Sequence, residues 1–120
     1  MRVAITSTGP SVDSAFDNRF GRASYFIIFD SETDGYEVLD NVQNYQAAQG
    51  AGIQSAQTLA SAGVDALITG HLGPKAARTL SAASVKVYQS DAKTVEEAWT
   101  LYKSNALKPL NQADVEGHWV

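Results

Sequence analysis

The sequence predicts an α/β fold of three layers, a mixed five-stranded sheet with helices on both faces. Three observations carry this. A run rich in aromatic and β-branched residues, Ser24 to Asp30, leads to an Asp34-Gly35 turn, a good hairpin signal, and a returning strand. The apolar period then changes at Ile53, where Ile53, Ala56, Gln57 and Ala60 share one helical face. From there strands and helices alternate, the pattern of a sheet covered on both sides.

Each element has its own warrant. Val3 to Thr6 is a short buried strand, followed by a loop from Ser7 to Asn18. Ser24 to Asp30 is the second strand, and Tyr36 to Asn41 returns antiparallel after the hairpin turn. Tyr45 to Gly52 reads as a loop. The first helix starts near Ile53 and ends at Gly63, a residue suited to the left-handed exit of a helix. Ala66 to Thr69 is the fourth strand, and Pro74 to about Ala82 the second helix. Val85 to Tyr88 is the fifth strand. Thr94-Val95-Glu96-Glu97 is a capping box that starts a third helix running to about Ser104. The order β-β-β-α-β-α-β-α resembles the ribonuclease H-like arrangement. Residues 1–107 are expected to form a single domain, with 108–120 as a C-terminal tail without periodicity.

Composition narrows the function. The 120-residue chain is long enough to bury a core. It has no cysteine, which excludes disulfides, thiolate metal sites and thiol nucleophiles. No apolar run approaches the length of a membrane span, roughly 20 residues. Met1 to Ile5 enters a strand directly, so neither a signal peptide nor a membrane partner is expected, and the expected setting is cytoplasmic. The 13 acidic residues outnumber the 9 Lys and Arg, giving a net charge of −4. That argues against general nucleic-acid binding. Any anion site must therefore be local.

The stretch Ile68-Thr69-Gly70-His71-Leu72-Gly73-Pro74-Lys75-Ala76 is the strongest local signal. A strand ends in a turn whose Gly70 and Gly73 permit close approach of backbone to ligand. Pro74 suits the first helical position, and the helix N-terminus attracts anions. Lys75 adds a full charge. In open α/β sheets, ligands sit beyond the carboxyl ends of the parallel strands. Gly9, after the first strand, and the Gly50-Ala51-Gly52 turn are expected to converge on the same crevice. Arg19-Phe20-Gly21-Arg22 supplies two cations around Gly21; the competing reading has Phe20 in the core and both arginines solvated. His71 is the candidate metal contact, or else a hydrogen-bonded loop histidine. His118, beside Trp119, is a weaker candidate at the terminus.

Enzyme signals are poor. No Ser-His-Asp arrangement is visible. The first strand carries no acid and Asp65 stands at the wrong end of the fourth, so a carboxylate cluster for divalent metals is not expected. The Gly-Lys-Ser/Thr ending of a phosphate-binding loop is absent after Gly70. No catalytic residue is assigned, and the protein is read as a non-enzyme.

Together these residues resemble the dinitrogenase iron–molybdenum cofactor biosynthesis family, which includes small nitrogenase-cofactor carriers and the orange proteins of sulfate reducers. The likeness spans nearly the whole chain. It rests on Phe20-Gly21-Arg22-Ala23 with Tyr25-Phe26, Gly50-Ala51-Gly52-Ile53-Gln54, Val64-Asp65, Ile68-Thr69-Gly70 through Gly73-Pro74-Lys75-Ala76, Val85 to Tyr88, and Thr94 to Ala98. The resemblance implies a ribonuclease H-like fold and carriage of an anionic metal–sulfur cluster. Gly21, Arg22, Gly50, Gly52 and Gly70 to Lys75 would surround it. Many members have histidine where this chain has Arg19, and another before the Gly-Ala-Gly turn, where this chain reads Tyr45-Gln46-Ala47-Ala48-Gln49. These departures favour charge pairing over histidine ligation. A cluster that brings its own sulfides needs no protein thiolate and can be held by charge-assisted hydrogen bonds.

The favoured cargo is a molybdenum–copper sulfide cluster, as in the orange proteins, with an iron–molybdenum–sulfur cluster as the other option. Neither would be covalently attached. Unidentified donor or acceptor proteins are the implied partners. The alternative is a regulatory or interaction module whose crevice binds a phosphorylated ligand or an acidic partner segment.

Overall fold

Burial along the strands follows from their place in the sheet. In the computed structural model, which describes residues 1–41 and 50–110, β1 (Arg2–Ser7) and β4 (Ala66–Thr69) are buried almost throughout. Both faces of a central parallel pair are covered, so alternation disappears and the strands become apolar runs. β3 (Tyr36–Asp40) is mostly exposed, as an edge strand can be.

The sheet order is β3-β2-β1-β4-β5-β6, with β2 spanning Tyr25–Asp30, β5 Lys86–Gln89 and β6 Lys108–Pro109. The hairpin strands pair antiparallel, Ile5 opposite Ile27 and Ile27 opposite Val38. β1, β4 and β5 run parallel, with Ile5 opposite Ile68 and Ile68 opposite Tyr88. The carboxyl ends of three parallel strands thus lie side by side.

The expected five-stranded, ribonuclease H-like arrangement is corrected here: the sheet has six strands and the described residues contain three helices. The sixth strand lies in the segment read from sequence as tail. Gln89 pairs with Lys108 and Tyr88 with Pro109, antiparallel, and the Leu110 amide donates to the Val87 carbonyl at 2.8 Å. A two-residue strand is too short to show alternation, and Pro109 has no amide to donate. Both reasons hide it from a pattern search.

Helices α1 (Ala51–Ser61) and α2 (Pro74–Ala82) touch each other and share one core with Phe20, Phe26, Leu67 and Leu72. Helix α3 (Val95–Lys103) covers the opposite face, where Val95, Ala98 and Trp99 pack on Ile5, Ile27 and Ile68. The period of two along β4 divides these cores, Leu67 facing one and Ile68 the other. The capping box is present in its first half: the Glu97 amide donates to Thr94 Oγ1 at 3.1 Å. α1 begins two residues before the expected Ile53, because Gly50 takes a left-handed conformation (φ 76°) and Ala51 and Gly52 enter the helix buried.

Candidate functional site

The site is built where the loop after β1 meets the turn after β4. Thr6, buried at the end of β1, donates its hydroxyl to the Asp17 carbonyl at 2.5 Å, and the Asp17 amide returns to the Thr6 carbonyl at 3.1 Å. The chain is thereby folded back along β1, placing Asn18 and Arg19 beside Gly70 and His71. The His71 amide donates to the Asn18 carbonyl at 2.7 Å, and the Phe20 amide to the His71 carbonyl at 3.3 Å. These bonds make Arg19 and His71 a short parallel bridge.

Gly70 is the tightest point. A Cβ there would lie 2.6 Å from the Asn18 Cβ and 2.7 Å from the Asn18 carbonyl oxygen. The glycine is therefore explained by close approach of protein backbone, whether or not a ligand also comes near. On its other side, Gln89 Nε2 donates to the Gly70 carbonyl at 3.0 Å and the Ser90 amide to the Thr69 carbonyl at 3.0 Å. Turns from β1, β4 and β5 are thus laced into one floor.

Beyond that floor opens a cleft of about 830 Å³, lined by Arg19, Gly70, His71, Gln89, Asp91 and Lys108 among others. Its volume is in the range of small-molecule sites, about 300–1,000 Å³. Phe16, Ala92, Leu101 and Leu107 add an apolar wall. Such a wall strengthens charged hydrogen bonds by excluding water. Asp17 is nearly buried in the same wall; its Oδ1 accepts from the Arg19 amide at 3.0 Å and lies 3.9 Å from Arg19 Nε. The Arg19 side chain is 53% exposed, so that ion pair contributes little to stability. The head group keeps its freedom to turn toward a ligand.

The residues singled out from sequence divide. Arg19, Gly70 and His71 line the cleft. Gly9, Gly21, Arg22, Gly50, Gly52, Gly73 and Lys75 are not part of its lining among the described residues. Gly9 packs against Ser14 within the β1 loop, and Gly21 is buried. Arg22 is half-buried and already engaged within the protein. Gly50 and Gly52 open α1; Gly73 caps α2, and Lys75 is exposed on its first turn. The Tyr45 to Gln49 segment and His118 fall outside the described residues.

Sequence reasoning passed over Asn18, Gln89, Asp91 and Lys108. The rule of carboxyl strand ends applied equally to β5, and Gln89-Ser90-Asp91 directly follow its apolar residues. Lys108 had no comparable signal.

Among the described residues no three or more His, Asp or Glu are placed to hold a metal ion. Bare ions need several protein donors. Beside the His71 imidazole the cleft carries two cations, Arg19 and Lys108, and two carboxylates, Asp17 and Asp91. With that geometry, the decisive likeness is that residues 1–105 match the family model described as dinitrogenase iron-molybdenum cofactor. The chain belongs to the dinitrogenase iron-molybdenum cofactor family. It is 37% identical to the apo form of the orange protein from Desulfovibrio gigas, over 95% of this chain and 96% of that one, with a TM-score of 0.91. A Thermotoga protein of the DUF35 family, solved by NMR, is 41% identical over 97% and 98% of the two chains, with a TM-score of 0.85. An uncharacterized protein of Methanocaldococcus jannaschii is 26% identical over 111 residues, 90% of each chain. No helix among the described residues of this chain is long and apolar enough to cross a membrane.

Proposed function

We propose that this member of the family is a non-catalytic carrier of an anionic metal–sulfur cluster, seated in the cleft at the carboxyl ends of β1, β4 and β5. The observation that carries the reading is the set of groups on one cleft: Arg19, Lys108 and the His71 imidazole beside an apolar wall. A sulfide-rich cluster presents acceptors and negative charge on every side, so it needs donors and cations from the protein, not ligating carboxylates. Arg19 supplies a planar fork of donors, better suited than lysine to adjacent acceptor atoms. His71 contacts metal or sulfide. Gly70 lets the Asn18 loop close against the turn after β4 and so shapes the floor beneath the cargo. Glycine turns beyond the lining, and the remaining cations Arg22 and Lys75, serve the surrounding scaffold in this reading.

Molybdenum–copper sulfide is the favoured cargo. The likeness to the orange protein supports it, as does Arg19, which favours charge pairing over histidine ligation. An iron–molybdenum–sulfur cluster is the second candidate. The cargo is handed between donor and acceptor proteins, and the chain itself performs no turnover.

The test is reconstitution. The protein is incubated with tetrathiomolybdate and a copper salt and then desalted. The visible spectrum is recorded and molybdenum, copper and iron are assayed. A coloured product with molybdenum and copper in fixed ratio to protein is expected. Retention of neither metal, followed by failure to hold an iron–molybdenum–sulfur cluster, overturns the carrier reading. A rise in melting temperature with a phosphorylated ligand instead would favour the interaction module.

A further inference from the structure

The cleft is not a strongly basic site. Its fixed charges are Arg19 and Lys108 against Asp17 and Asp91. Arg19 is already offset in part by Asp17, 3.9 Å from its Nε. An anionic cargo therefore meets a nearly balanced field, and one charge decides the sign. We infer that Lys108 is that charge: it supplies the cleft's second cation and determines whether the site retains an anion. The inference rests on the carrier reading of the same cleft.

Three observations support it. Lys108 is placed by backbone pairing, opposite Gln89 at the end of β5. Gln89 in turn holds the Gly70 carbonyl through its side chain, at 3.0 Å. Lys108 is thus fixed in register with the floor of the site. Next, the pairing extends to the Leu110 amide and Val87 carbonyl, at 2.8 Å, so this short strand is anchored on both sides of Pro109. Finally, Lys108 lies just past residue 105, where the match to the family ends. The charge is thus contributed by this chain's sixth strand and not by the motifs that mark the family. It is a specificity residue for the cargo, acting by charge.

Removing Lys108 leaves carboxylates in excess around the cargo. Reversing it brings a third carboxylate to the cleft, at an exposed position where salt screens its effect. The side chain itself is exposed and its strand is held through main-chain bonds, so substitution leaves the fold intact.

The experiment compares wild type, Lys108→Glu, Lys108→Arg and Lys86→Glu, the last a matched charge reversal at the opposite end of β5. The probe is tetrathiomolybdate, alone and with a copper salt, with binding read from visible absorbance at low and high salt. Circular dichroism and melting temperature confirm that each variant is folded. Lys108→Glu is expected to weaken binding about tenfold or more at low salt, with the gap narrowing as salt rises. Lys108→Arg is expected to bind like wild type, and Lys86→Glu to stay within about twofold of it. Equal binding by Lys108→Glu and Lys86→Glu, while wild type binds, overturns the role of Lys108 and leaves the carrier reading standing. No binding by wild type overturns both.

Discussion

The two ends of the sheet handle charge in opposite ways. At the end away from the cleft, Arg2 pairs with Glu37, and Lys103 with Asp34 at 3.3 Å. The same Asp34 accepts from Trp99 Nε1 at 3.2 Å, and Lys103 sits 5.5 Å from the Trp99 ring centroid. Beneath these pairs Phe29, Trp99 and Tyr102 stack, with centroid separations of 4.4 and 5.6 Å. Cations, carboxylates and rings there satisfy one another. At the cleft end, backbone groups are laced together while Arg19 and Lys108 border open space. One end is closed by side chains; the other is closed mainly by main chain, with the Gln89 side chain bonded to the Gly70 carbonyl.

That contrast can be broken most directly at Trp99. Replacing it by alanine removes the middle of the ring stack and leaves a cavity under α3. The unfolding free energy in urea is expected to fall by about 3–5 kcal/mol. The hydrogen bonds joining Asn18, Gly70 and His71 do not involve this ring. Their amide resonances are therefore expected to hold position below the unfolding transition. A large change in those resonances would mean the two ends are coupled.

Gly70→Ala attacks the cleft end instead. The new methyl meets backbone and Cβ of Asn18 at 2.6 to 2.8 Å, so main chain must move. Destabilisation of about 1–3 kcal/mol is expected, with the His71 and Phe20 amides shifted in NMR spectra. An alanine variant as stable as wild type, with those amides in place, would show that the close approach is dispensable.

The smallest effect sharpens the closed end. Burial first, then the neighbouring Tyr88 and Asp65, raise the Tyr102 phenol above its ordinary value of 10. The folded protein thus holds this proton more tightly than the unfolded chain. Stability from this group is fully present below pH 10 and declines as pH rises through the folded-state value. Tyr102→Phe is expected to flatten the fall in melting temperature above pH 10, relative to wild type. Parallel pH profiles for the two proteins would remove the phenol from the account.

Much of the fold was legible because its signals are local. Pro74 to Ala82 and Ala66 to Thr69 are seen where the apolar period and the proline place them. Thr94 caps its helix through the Glu97 amide. The second arginine of Arg19-Phe20-Gly21-Arg22 shows the limit of that reading. Proximity in sequence to Arg19 suggested a shared site, yet Phe20 is fully buried between them and Arg22 does not line the cleft among the described residues. Gly70 was marked as a point where backbone approaches a ligand; the neighbour seen there is Asn18 from another loop.

By itself the sequence determined the helices, the central strands and the lack of thiolate chemistry, since capping, periodicity and composition act over a few residues. It also carried the motifs that mark the family. Only the tertiary structure decided which turns meet. Asn18, Gly70, Gln89 and Lys108 belong to four different strands or loops, and main-chain bonds together with the Gln89 side chain bring them to one floor. The sixth strand depends on an edge already formed by β5, since two residues have too little pairing to persist alone. The charge that completes the cleft was settled in the same way, by pairing with an edge that exists only once the sheet is assembled.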